Sequence, residues 1–454
     1  MIRKKIPTFQ RHPNSKLQLP WNAAQLGTLI FPLLPALGAV CIGFALLVTW
    51  GSEYRIIINR PRNWGFGLFS LLLLITTALA HDKIAALEGL INFLPYILLF
   101  CASDALIQTP AQLRHLARIL VITSIPVVII GLGQMFLGWT TPKIWQNIFG
   151  WAIAPGGNPI GRMASSFMYA NTLAGYLIIT FILASGLWLE EFRKRGKNKL
   201  SITQPLVLLS LAVILNFVGL ILTNSRNAWA IAIFVAIVYA VYQGWRILIA
   251  IVASIATTVL LAAFAPTPIA QIFRKVVPAF FWARLNDQKF PDRPVALMRK
   301  TQWDFAWNMA QQRPLTGWGL RNFTPLYQEK MHIWLGHPHN FFLMLSAETG
   351  IPATILFISL ITWILIAGLQ LLQRSQSLET QDKLIFFSYL LVIVAWILFN
   401  TADVSLFDLR LNALSWLLLG AVSGIISRCD TIFDGRQGHR LQKFTEPTSK
   451  KHSN

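Results

Sequence analysis

The chain has 454 residues, of which 55% are hydrophobic and 13% charged, with a formal net charge of +21. An ordinary soluble domain carries about 25% charged residues, so this composition argues against an aqueous globular protein and for lipid as the main solvent. The 39 Lys and Arg against 18 Asp and Glu cluster at the ends of apolar runs. That placement fits membrane topology and anionic-lipid contact rather than nucleic-acid binding.

In chain order, apolar segments fall near 22–50, 64–80, 88–104, 115–137, 164–189, 204–223, 227–244, 246–265, 341–372, 384–402 and 406–427. A bilayer core about 30 Å thick takes roughly 20 apolar residues per helix. The first run exceeds one simple span and is interrupted by Pro32 and Pro35, so it predicts a broken helix or a tight pair. The expected fold is an all-α polytopic integral membrane protein of about 12 transmembrane helices with one large extracytoplasmic loop.

Basic loops set the expected orientation. The N-terminal tail (1–21), 51–63, 105–114, 190–203, 373–383 and the tail 428–454 read as cytoplasmic. All of them fall on one side only if the first run crosses twice. The opposite side receives 81–87, 138–163, 224–226, the long segment 266–340 and 403–405. The transmembrane bundle is thereby divided into 22–265 and 341–427 by a loop subdomain at 266–340. The tail after 428 is polar and reads as disordered. The basic start reads as a retained anchor with no cleavage site. Cys41, Cys101 and Cys429 are far apart in sequence and suggest neither a disulfide framework nor a metal motif. No internal repeat is visible.

Three arginines fall on the outer side. Arg226 sits in the polar island Thr223-Asn224-Ser225-Arg226-Asn227, Arg162 just precedes an apolar run, and Arg299 opens Arg299-Lys300-Thr301-Gln302-Trp303. Each taken alone reads first as a snorkelling anchor. Together they suit a pyrophosphate, which guanidinium groups pair in bidentate fashion.

His337-Pro338-His339-Asn340 marks where the long loop returns to the membrane. A histidine there can take a proton from a hydroxyl, or simply be an interfacial residue with a satisfied hydrogen bond. Two histidines at i and i+2 lack a Cys or carboxylate ligand nearby in sequence, so neither metal nor cofactor is expected. Glu348, in an apolar run, either orients His339 or stabilises helix packing. Pro314-Leu315-Thr316-Gly317-Trp318-Gly319 reads as a tight turn or close backbone approach. It lacks the ending of a phosphate-cradling loop. Trp303 and the other loop tryptophans suit either sugar stacking or the membrane interface.

Four ordered blocks carry a resemblance. They are Gly161-Arg162-Met163-Ala164-Ser165-Ser166-Phe167 with Asn171 and Leu173-Ala174-Gly175-Tyr176; Thr223-Asn224-Ser225-Arg226; Arg299, Trp303 and Pro314-Leu315-Thr316-Gly317-Trp318-Gly319; and His339-Asn340 with Leu343, Glu348, Gly350 and Ile351. Over about 160–355 the sequence resembles the bacterial O-antigen ligase and O-antigen polymerase superfamily. The resemblance implies a membrane glycosyltransferase of C-type architecture; direct displacement would make it inverting, and neutralisation of the leaving group by the arginines would make it metal-independent. It further implies an undecaprenyl-diphosphate-linked glycan donor, an acceptor on a glycan, lipid or protein, and a periplasm-facing site in the inner membrane. Arg162, Arg226 and Arg299 match the family's basic residues and His339 its loop histidine, with Asn340, Glu348, His337 and Trp303 in support. The extra His337 departs from the pattern and is able to share or replace the role of His339. A small-anion transporter, for example for bicarbonate, is the rival reading. It calls for two related halves and leaves the long outer loop without a purpose.

Overall fold

The computed structural model describes residues 9–194, 203–286, 294–374 and 378–445, with side chains up to 430. All its regular secondary structure among the described residues is helical. The N-terminal part comprises α1 (Gln18–Ile30), α2 (Pro35–Ile58), α3 (Pro61–Ala78), α4 (Lys83–Leu90), α5 (Leu94–Leu106), α6 (Pro110–Phe136) and α7 (Lys143–Phe149). Next come α8 (Ala170–Lys194), α9 (Gln204–Leu222), α10 (Arg226–Gln243) and α11 (Arg246–Phe264). The long loop folds as α12 (Thr267–Arg274), α13 (Ala279–Leu285), α14 (Arg299–Gln312) and α15 (Phe323–Met331). The chain ends with α16 (Phe341–Thr349), α17 (Ile351–Gln373), α18 (Thr380–Asn400) and α19 (Leu409–Thr445).

Among the described residues, ten helices are long and apolar enough to cross a membrane, α4 and α5 counting as one. All twelve expected segments appear as helices. The two outside the ten are α1 and α3. α1 has 13 residues, which is about 20 Å at 1.5 Å per residue. α3 begins Pro-Arg-Asn-Trp, a polar first turn that dilutes its hydropathy.

The first run breaks at its prolines. α1 ends at Ile30, and α2 restarts with Pro35 at its first position, where the missing N–H costs nothing. The two helices pack as a hairpin through Gly27 and Gly38, where an added Cβ would lie 2.8 Å from Ile42 and 2.6 Å from Phe31. The His12 ring bonds the Leu106 carbonyl at 2.9 Å, and Asn14 reaches Glu53. At the hairpin's other end, Trp151 donates to Leu33 O at 2.7 Å and Ser166 to Pro32 O at 3.1 Å. The run therefore folds as a helical hairpin, with its turn at one end of the bundle and its two outer ends at the other.

The remaining turns sort to the same two ends. Arg60 pairs with Asp104, Arg114 with Glu190 and Asp382 at 2.8 Å each, and Arg193 with Gln243. These bonds collect the turns expected on the basic side. α19 continues as helix to Thr445, past 428, where a disordered tail was expected; no proline interrupts the run before Pro447. Residues 446–454 of that tail, 1–8 of the N-terminal tail, 195–202 and 375–377 lie outside the described residues.

Apolar side chains cover the outside of the bundle. Val40, Leu47, Leu71, Ile247 and Ile255 are all exposed, which fits a lipid solvent. Inside, polar side chains join the helices. Asn216 donates to Ser124 Oγ at 2.8 Å and accepts from Thr180 at 2.5 Å, linking α9, α6 and α8. Tyr239 donates towards Ile182 O and Ser388 Oγ, linking α10, α8 and α18.

The long loop builds a small core from Ala306, Met309, Phe323 and Tyr327 against Ala347 of α16. It locks backbone to backbone onto the end of α16: Trp318 N–H donates to Ala347 O at 3.0 Å, Gly319 N–H to Glu348 O at 2.8 Å, and Ile351 N–H to Pro314 O at 2.7 Å. Gly317 adopts φ +65, and a Cβ there would sit 2.4 Å from the Glu348 carbonyl group. The turn and close approach expected at Gly317 are both present. The buried Glu348 carboxylate accepts the Phe323 N–H at 3.2 Å. It pins the loop to α16. Burial pushes its pKa up from 4.5 to about 7, against the lowering effect of the Arg321 and Phe323 N–H groups.

Two predictions follow from this clamp. Gly317→Ala places a methyl group against unyielding backbone at positive φ, and should cost about 2 kcal/mol or more, read as a lower melting temperature in detergent. For Glu348 the folded pKa is raised, so between pH 4.5 and about 7 the unfolded chain is ionised while the folded chain holds a proton. Stability therefore falls as pH rises through that window. Glu348→Gln should flatten that slope. Identical pH profiles for the two proteins would contradict the assignment.

Candidate functional site

The site forms at the end of the bundle that also holds the α1–α2 turn. His339 precedes α16 and adopts φ +52, a left-handed conformation that costs a non-glycine residue energy and is concentrated at functional sites. Asn340 caps α16 by accepting the N–H groups of Phe342 and Leu343, both at 3.1 Å. That cap fixes the helix start and, with it, the histidine just before it.

Asp403 stands at the centre of the arrangement. It lies in the short α18–α19 connection and is buried. Its Oδ1 lies 3.4 Å from His339 Nδ1 and accepts the Val404 N–H at 2.9 Å. Its Oδ2 accepts from Asn171 at 2.6 Å. Asn171 in turn accepts from the Arg162 guanidinium, whose Nε donates to Thr223 O at 2.8 Å. Burial alone would raise the Asp403 pKa, but the His339 hydrogen bond and the two imidazoles outweigh it and hold the carboxyl below its ordinary value.

The three arginines converge on this point. Arg162 has its pKa lowered first by burial, and Arg226 and Arg299 act on it electrostatically. Arg226 is the first residue of α10, and its Nη1 donates to Leu285 O at 3.3 Å. Arg299 is the first residue of α14 and donates to Ala402 O, beside Asp403. Two helix N-termini, each a positive dipole end, therefore open with an arginine.

His337 packs edge-on to His339 with ring centroids 4.4 Å apart and stacks on Phe407. Its Nδ1 accepts the His339 N–H at 3.1 Å. Desolvation, helped by the nearby His339 and Arg299, pushes its pKa down to about 4, so this imidazole is neutral at physiological pH. It lines a cavity of about 200 Å³ with Tyr169, Asn171, Asp403, Phe407 and Asp408.

The remaining expected residues stand further out. Glu348 holds the loop, as described. Trp303 lies one helical turn beyond Arg299 on α14, and its buried indole N–H has no hydrogen-bond partner among the described residues. Asp403 was missed in the sequence. Its signal was the polar island Asn400-Thr401-Ala402-Asp403 between two apolar runs, the same kind of island that drew notice to Arg226. Arg284 was missed too; it is buried, and its Nε donates to Asn224 O at 3.2 Å, beside Arg226.

No curated protein matches the chain. Residues 211–358 match the O-antigen ligase family model (Wzy_C), and the matched stretch, from α9 into α17, carries Arg226, Arg299, His337 and His339.

Proposed function

We propose that the protein is a glycosyltransferase that moves a glycan from a polyprenyl diphosphate to an acceptor hydroxyl on the outer face of the inner membrane, in cell-surface polysaccharide synthesis. The observation that carries this reading is the gathering of Arg162, Arg226 and Arg299 around the His339–Asp403 pair. The O-antigen ligase match supports it, since ligation and chain extension share this chemistry.

The lipid of the donor lies among the helices with its diphosphate at the arginines. The acceptor oxygen attacks the anomeric carbon as the bond from that carbon to the diphosphate oxygen breaks. The leaving diphosphate keeps the bonding electrons, and the guanidiniums at the α10 and α14 N-termini stabilise its charge. Such preorganised stabilisation is often the largest catalytic term. The acceptor proton passes to His339, a step worth roughly 10²–10⁴-fold in rate. Asp403 holds the ring in place and stabilises its protonated form. Direct displacement inverts the anomeric centre. The arginines supply the positive charge, so the mechanism needs no metal.

The test is transfer from a polyprenyl-diphosphate-linked glycan by purified variants. His339→Ala should slow transfer on the order of 10²–10⁴-fold, and Arg226→Ala on the order of 10²–10³-fold, with both proteins inserted and monodisperse. Asp403→Asn should slow transfer at least tenfold with little change in donor affinity, the signature of a positioning residue. Full activity in both Arg226→Ala and His339→Ala would overturn the reading. The length distribution of products separates ligation of a finished glycan from polymerisation.

A further inference from the structure

The pair of histidines around Pro338 has a partner that the sequence hides. A ring nitrogen of His337, a ring nitrogen of His339 and a carboxylate oxygen of Asp403 all lie within 4.8 Å of one another. Two imidazoles and one carboxylate with an open fourth position are a common donor set for zinc. Tetrahedral zinc with ligands at about 2.0–2.2 Å needs its donors roughly 3.4 Å apart; His339 and Asp403 already stand at 3.4 Å. The remaining donor separations are at most 4.8 Å, so closing the set requires a contraction of no more than about 1.4 Å.

The surroundings resemble a supported ligand set. Asp403 is fixed by Asn171 and by the Val404 N–H, which orients its second oxygen in the way outer partners orient metal ligands. Phe407 stacks on His337 and holds its plane. The adjoining cavity is open to a small ligand, and Asp408 also lines it. Arg162 and Arg299 oppose a dication. They set the expected affinity on the order of micromolar, weaker than that of closed structural zinc sites.

We propose that His337, His339 and Asp403 bind one divalent transition-metal ion of the zinc type, and that the bound ion withdraws His339 from the acceptor and inhibits transfer. The inhibition rests on the transfer reading above; the binding does not.

Full-length protein in detergent, stripped with chelator, is titrated with Co²⁺, whose ligand-field absorption reports the coordination shell, and then with Zn²⁺. The expected result is one equivalent of Co²⁺ displaced by Zn²⁺. His337→Gln and Asp403→Asn should each weaken binding on the order of tenfold or more, and His332→Ala, a control on the outer loop, should not. Arg226→Ala should bind the ion undiminished even though it transfers poorly, which separates the two claims. No saturable uptake, or equal affinity in His337→Gln and Asp403→Asn, overturns the site. In the transfer assay, Zn²⁺ should inhibit saturably and chelator should restore activity, with His337→Gln resisting inhibition because it keeps His339 but lacks a ligand. Unchanged transfer at full Zn²⁺ occupancy overturns the inhibition.

Discussion

A single buried carboxylate organises the polar end of this bundle. A charge taken out of water is costly unless it is paired and hydrogen-bonded, and Asp403 meets that demand with Asn171, Val404 N–H and His339. Those bonds tie the α18–α19 turn to α8 and to the return of the long loop. Through Asn171 they also reach Arg162, and Arg162 reaches the α9–α10 turn at Thr223. Arg299 binds the carbonyl next to Asp403. Five separate stretches of chain are thereby held to one small region.

The long loop is held from its far side by a different device. Glycines at 317 and 350 let its backbone lie directly on the end of α16, and Glu348 closes the contact from within. α16 is the helix that presents His339 at its start. The loop's own core thus sets the height and angle of the histidine, while Asp403 sets its ring. In the proposed mechanism positioning of this kind matters, because misplacement of a catalytic group by about 1 Å can cost on the order of 10² in rate.

Much of this was readable from sequence because membrane physics leaves a coarse signal. Apolar runs of bilayer length gave the helices, Pro32 and Pro35 gave the break in the first one, and basic loops gave the sorting of turns to two ends. Arg162, Arg226, Arg299 and His339 stood out because charges and imidazoles at membrane edges are expensive and few. Asp403 did not stand out, since its partners lie 64 and 232 residues away and no local pattern links them. The same separation hid the carboxylate that completes the His337–His339 pair. For Glu348 the sequence showed that a partner was needed but not which one, because backbone N–H groups of a distant loop leave no residue-type signature.

The gathering of guanidiniums opposite an imidazole is the central claim, and an experimental structure with a polyprenyl diphosphate bound tests it most directly. The account predicts the diphosphate within hydrogen-bonding distance of Arg162, Arg226 and Arg299, with the anomeric position turned towards His339. A diphosphate bound instead at the opposite end of the bundle, near Arg114, would contradict it.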